Sequence, residues 1–196
     1  MLRYIVFLFL LTACQNDLKY TITGQLQDST FNGEWIYLVP LENTSKESVD
    51  SVMIANETFQ FEGSAESPEI YIIRTKPILR LTLQELLVVK EHGELIVKIG
   101  KNSSVNGTAL NDSLQQWKEK KMQADYLNEE LRQKYKIADI AEQAVIKQKS
   151  DSLNARIIDF HFNFVRNNKD NIVGQFVQKI MAGSFSPEQK TKLNIK

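Results

Sequence analysis

From residue 18 the chain alternates: Leu18, Tyr20, Ile22 and Leu26 are apolar, while Lys19, Thr21, Thr23 and Gln25 are polar. A period of two is that of a half-buried strand. Gly24 within it predicts a bulge or a close backbone approach. Asn32-Gly33 predicts a turn into a second strand over 34–41, with Trp35, Tyr37 and Val39 on one face. Core packing is expected of the two aromatic rings, and stacking on a sugar is their other use. Pro40 should end that strand or lie on an edge, since proline gives no N–H to a ladder. Residues 48–55 predict a third strand, with Val49, Ser51 and Met53 facing one way and Val52 and Ile54 offset from them. Asn56-Glu57 turns the chain into 58–63, where Phe59 and Phe61 share a face. After a break at Ser67-Pro68, strands are expected over 69–75 and, as one or two pieces, over 78–89. Glu91-His92-Gly93-Glu94 predicts a hairpin turn, because glycine supplies the positive φ such turns need. Leu95, Val97 and Ile99 close the series. Seven or eight short strands at regular spacing argue an antiparallel sandwich or open barrel.

The period changes after Asn106-Gly107-Thr108. Thr108 is expected to cap a helix by accepting from an amide of its first turn. Leu110, Leu114, Trp117, Ala124, Leu131 and Tyr135 then recur near helical spacing, with the charge run 118–121 on the solvated face. A break at 137–139 leads to a second helix capped by Asp139. Its stripe is Ala141, Ala144, Ala155, Ile158, Phe162 and Val165, with the alanines allowing close approach, and it ends near Arg166. Two long helices joined by a short break form an antiparallel hairpin. Asp170 is expected to open a third helix carrying Val173, Val177, Ile180 and Met181. Ser186-Pro187-Glu188-Gln189 announces a last one, with a serine cap, proline in the first turn and a capping-box glutamine. The fold class is therefore α+β, with β structure over 14–107 and helices over 108–196.

The amino terminus is of another kind. Arg3 precedes an apolar block over 4–11, then Leu11-Thr12-Ala13-Cys14. This is the layout of a secretory signal peptide, too short to span a bilayer as a helix. Its end resembles the bacterial lipobox, which implies cleavage after residue 13 and lipid on Cys14. Stable anchoring needs more than one acyl chain, and lipoproteins of this kind carry three. Gln15-Asn16 differs from the inner-membrane retention pattern of enteric bacteria. The expected location is the outer membrane, on its periplasmic or cell-surface side.

Twenty-four basic residues balance twenty-four acidic ones, which argues against nucleic acid as a partner. The charge is uneven: acids prevail between residues 15 and 108, bases after it. Cys14 is the single cysteine, so acylation leaves no thiol for a disulfide or a Cys-x-x-Cys pair. Stability must come from the core.

A family emerges from the order of several short motifs: Tyr20-Thr21-Ile22-Thr23-Gly24, Asp50-Ser51-Val52 and Phe59-Gln60-Phe61-Glu62-Gly63, then Gly107-Thr108-Ala109-Leu110-Asn111, a helical hairpin, Asn171-Ile172-Val173-Gly174 and Ser186-Pro187-Glu188-Gln189. This order resembles the Bacteroidetes lipoproteins bearing domain of unknown function 4369. In longer relatives that domain precedes a thioredoxin-like or peroxiredoxin-like domain. The family's catalytic cysteines match no position here. The resemblance therefore implies a non-catalytic envelope binding or docking module with a protein partner. The alternatives are an accessory or split subunit of a thioredoxin-like reductase, or a truncated product of such a gene.

The remaining constellations are weak. His92 and His161 are the only histidines, one in a turn and one in the aromatic run 160–164; a metal site needs more converging ligands than that. No Gly-x-Ser-x-Gly elbow or glycine-rich phosphate loop occurs, and Glu129-Glu130 reads as surface charge. No cofactor is expected. Phe160, Phe162 and Phe164 cannot share one helix face, so an exposed member could mark a contact surface. Asp-Ser followed by an apolar residue or Thr recurs at Ser29, Ser51, Ser113 and Ser152. The pattern resembles the O-glycosylation acceptor of Bacteroidetes envelope proteins, against the plainer use of Asp-Ser at caps and turns. Nothing in the sequence sets an oligomeric state.

Overall fold

The computed structural model describes residues 18–42, 45–75 and 86–195. Among them, eight strands form two four-stranded sheets, followed by four α-helices. The strands are β1 (Lys19–Leu26), β2 (Trp35–Pro40), β3 (Asp50–Met53), β4 (Thr58–Ser64), β5 (Glu69–Arg74), β6 (Leu86–Lys90), β7 (Gly93–Ile99) and β8 (Ser104–Asn106). The helices are α1 (Ala109–Ile137), α2 (Ile140–Asn167), α3 (Ile172–Met181) and α4 (Pro187–Lys192). One sheet has the order β4-β1-β7-β8 and the other β3-β2-β5-β6. The arrangement is a sandwich rather than a closed barrel. Residues 78–85 of the expected sixth strand lie outside the described residues; the piece over 86–90 is β6.

The core between the sheets follows the alternation. Ile22, Ile36, Leu38, Phe61, Ile73, Leu86, Val88, Leu95 and Val97 are all essentially inaccessible. Gly24 pairs directly with Phe59, whose ring lies across it; a Cβ there would sit 1.9 Å from Phe59 Cζ. The glycine is thus the close approach its position suggested. Asn56 and Glu57 both take positive φ, 51° and 57°, which makes the tight turn that carries the chain from β3 in one sheet to β4 in the other.

Three strand expectations change. The turn over 91–94 is no hairpin: β6 pairs with β5 and β7 with β1, so it crosses between sheets. That crossing lays β7 parallel to β1, an exception in an otherwise antiparallel structure. The face of β2 that goes inward is Ile36, Leu38 and Pro40. Trp35, at 48% exposure, and the half-buried Tyr37 point outward, as does Met53 opposite Trp35. Both faces of β2 are apolar, so alternation alone could not choose between them. Finally, β8 is a short strand without apolar alternation of its own.

The helices pack on the outer face of the second sheet, with α1 also against β8 at the edge of the first. Ile70 and Val89, pointing away from the sandwich core, join Leu114, Trp117, Val165, Val173, Val177 and Phe185 in a second core. This is why β5 and β6 read as continuous apolar runs: both of their faces are covered. Thr108 occupies the N-cap of α1, but its hydroxyl donates to Glu91 Oε1 and accepts from Asn111 Nδ2 instead of taking a first-turn amide. Asp139 does cap α2, with Glu142 completing the box. The cap of α3 is Asn171 rather than Asp170. Ser186 caps α4 as expected. Of the α2 stripe, Ile158, Phe162 and Val165 face inward, while Ala141, Ala144 and Ala155 are exposed. Half-buried positions there are instead Ile146, Ser150, Leu153 and Ile157, and Asn128 Nδ2 donates to Asn154 Oδ1 at 2.8 Å across the hairpin.

Candidate functional site

Helix α1 is fixed to the sandwich by two buried amides four residues apart on one face. Asn111 Oδ1 accepts from the Val89 N–H at 2.8 Å, and its Nδ2 donates to the Val89 carbonyl at 2.7 Å. Gln115 Oε1 accepts from the Val105 N–H at 3.2 Å. The side chains thus complete the ladders of β6 and β8, both edge strands, whose bare edges would otherwise stay open. From this base, near Gly93 and the start of β1, α1 passes the 102–104 loop at Tyr126 and continues past the sandwich.

Helix α3 then lies beside the ends of β2 and β5, leaving a cleft of about 610 Å³. Pro40, Ile70 and Tyr71 form its floor, with Leu41 on the sandwich side and Ile172 and Phe176 on the helix side. Glu42 and Lys179 form an ion pair across the rim, next to Glu69 and Gln175. Tyr71 Oη donates to Glu69 at 3.3 Å and accepts from Lys90 Nζ at 2.7 Å. The lysine also lies over the Tyr71 ring, 4.4 Å from its centre. With Ser48 also in its lining, the trough is about as polar as apolar, and a concave site that mixes apolar residues with convergent polar groups is a candidate binding site. Residues 43–44 lie outside the described residues.

The other expected sites fall apart from this cleft. Cys14 lies outside the described residues. Ser29 and Ser152 are exposed; Ser51 is half-buried, and Ser113 is half-buried and donates to Asn168 Oδ1 at 3.5 Å. His92 is exposed. His161 is buried, and its Nδ1 accepts from the Trp117 indole N–H at 3.0 Å. Burial pushes its pKa below the ordinary histidine value, with Lys121 adding to the effect. It is a neutral packing imidazole with its proton on Nε2. Asp159, on another side of α2, accepts from Gln189 and ties α4 down. Among the described residues no three His, Cys, Asp or Glu side chains converge as metal ligands. None of Phe160, Phe162 and Phe164 is exposed: all three pack against the second core.

Two features had no sequence signal. Lys118 lies within the expected solvated run, yet its Nζ is buried without a hydrogen-bond partner, and burial pushes its pKa down to about 8. At the far end of the hairpin, Ile137 and Ile140 are 89% and 88% exposed. That tip is firmly built: beside the Asp139 cap, Gln143 Nε2 donates to the carbonyls of Tyr135 and Ala138.

Comparison with known families places the first half of the molecule. Residues 20–114 match the Domain of unknown function (DUF4369). The DUF4369 stretch holds the eight described strands, save Lys19 at the start of β1, and the first six residues of α1, Asn111 included. It supplies the sandwich wall of the cleft; α3 lies beyond it. Neither a curated protein nor a solved structure matches the chain. Among the described residues no helix is long and apolar enough to cross a membrane.

Proposed function

We propose that the protein is a lipid-anchored, non-catalytic docking module of a bacterial envelope. Lipid on Cys14 holds it to the outer membrane, and the cleft beside α3 receives a protein partner. The observation that carries this is the cleft itself: Leu41, Ile70, Ile172 and Phe176 beside Glu42, Ser48, Glu69, Gln175 and Lys179 suit a partner's side chain held by both apolar and polar contacts. The apolar block before a lone cysteine supports the anchor. Dithiol exchange needs an attacking and usually a resolving thiol, and Cys14 is the chain's one cysteine. The likeness to DUF4369 lipoproteins supports an envelope role.

The test replaces the exposed Gln175 by a photo-reactive residue in the native host. A second strain carries the same residue at Thr23, on the opposite sheet's outer face. A discrete adduct from position 175 and none from 23 is expected. Equal labelling at both, or none at 175, would overturn the docking role. Cys14→Ser should abolish fatty-acid labelling; retained label would remove the anchor.

A further inference from the structure

We propose that the groove between α1 and α2 binds a single-chain anionic amphiphile, a carboxylate on an alkyl chain. The groove has a volume of about 310 Å³ and shares no residue with the cleft beside α3. Ala124 and Leu127 line it from α1, and Leu153, Ile157 and Phe160 from α2. Spacings of three and four residues keep each set on one helix face. Ala124 is buried at the bottom, where its small side chain leaves the space. Lys120 stands on α1 nine residues after Asn111, about two and a half turns at 3.6 residues per turn. The groove is therefore on the side of α1 opposite the amide that holds the helix to β6.

The charge at this groove is of one sign. Lys120 and Arg156 line it, one from each helix, and no acid does. Elsewhere on α1 a cation finds a carboxylate one turn away: Lys121 pairs with Asp125, Arg132 with Glu129 and Lys134 with Glu130. Lys120 has Gln116, Trp117, Gln123 and Ala124 at those spacings. Neither it nor Arg156 is in an ion pair among the described residues. Asp159, one turn after Arg156, accepts from Gln189 of α4. Glu119 accepts from Gln115 on another side of α1, against the 102–104 loop. Arg156 donates its Nε–H to the Ser152 carbonyl, and the rest of its fork is open to a carboxylate, whose geometry it matches. Gln123 adds an amide donor. The apolar trough selects the alkyl chain, and the two unpaired cations beside it select the anionic head. Size selects a small molecule over a polypeptide. The lining covers only residues 120–127 and 153–160, about 10 Å along each helix at 1.5 Å per residue. Its volume is at the small end of the range for small-molecule pockets.

The experiment is isothermal titration calorimetry of laurate, kept below micelle formation, into the chain from Gln15 onward, which retains every described element. Saturable binding is expected, weakened by added salt. Decanoate and octanoate should bind progressively more weakly, by about two- to fourfold per methylene lost. Dodecyltrimethylammonium has the same chain with the opposite head, and acetate has the head alone; neither should bind. Lys120→Gln with Arg156→Gln should weaken laurate by about tenfold or more. Lys120→Glu with Arg156→Glu should abolish laurate binding and admit dodecyltrimethylammonium in its place. Both positions are exposed, and melting curves confirm folding. Lys147→Gln with Lys149→Gln, exposed on α2 but outside the groove, should leave laurate binding unchanged. The proposal is overturned if laurate does not bind, if both amphiphiles bind the wild type equally, or if the glutamine pair binds laurate as the wild type does. An equal loss in the Lys147 and Lys149 variant overturns it too. So does binding to phosphatidylglycerol vesicles without binding to laurate, which makes the groove a membrane contact instead of a site for a free amphiphile.

Discussion

At the scale of single residues, two buried bases contribute to the response to pH. Lys118 has its ammonium held down to about 8 by burial without a partner. The unfolded chain keeps the proton to about 10.5, so stability rises with pH between those values and the full penalty stands at pH 7. A shift of that size corresponds to roughly 3 kcal/mol. Lys118→Met should therefore stabilise the protein by up to about that amount at pH 7, and the gain should vanish above pH 10, as urea titrations at both pH values would show. His161 is also lowered, so the unfolded chain takes a proton that the folded one refuses. Its contribution is intact above about pH 6.5 and is lost as pH falls through the folded value. His161→Gln should flatten the wild-type loss of stability between pH 7 and 5; an unchanged slope would assign that loss elsewhere. Of the four Asp-Ser serines, Ser29 and Ser152 offer accessible hydroxyls. If the protein is glycosylated in its host, Ser29→Ala with Ser152→Ala should remove most of the added mass in intact mass spectrometry.

At the scale of elements, the joint between α1 and the sandwich depends on side-chain amides acting as substitute strands. Asn111→Ala would strand both the N–H and the carbonyl of Val89. Each unpaired buried group costs about 1–3 kcal/mol, so a loss of about 2–5 kcal/mol is expected in denaturant melts. Gln115→Ala exposes one N–H and should cost about half as much. These amides also show what the sequence could announce. Strands with one apolar face, such as β1 and β4, and helices with strong caps, such as α2 and α4, were legible because local chemistry fixes them. β2 was misjudged because both its faces are apolar and only the partner layer decides which is buried. Lys118 sits in a run of charges that looks solvated, but packing in the folded molecule buries its ammonium. The break that makes the tip was legible at 137–139, with Asp139 as its cap. The cleft was illegible because β2, β5 and α3 make it from residues far apart in the chain.

At the scale of the whole molecule, the parallel pairing of β1 and β7 sets how the protein bears load. β1 is hydrogen-bonded on both sides, antiparallel to β4 and parallel to β7, and the residues leading from Cys14 enter at its first position. A pull on the amino terminus acts along that strand, so both ladders are loaded in shear and must give way together. A strand at an edge would be peeled one bond at a time. The helices are joined to the sandwich through the second core and the few amide bonds of α1, a joint loaded at its end by a pull on the tip. In optical tweezers, with handles at Gln15 and Ile137, the helices should tear free first and the β4-β1-β7 unit should yield last, at higher force. A first event with the length of β1 would contradict this. The strand that opens the fold is thus its strongest mechanical member, placed where a tether would pull.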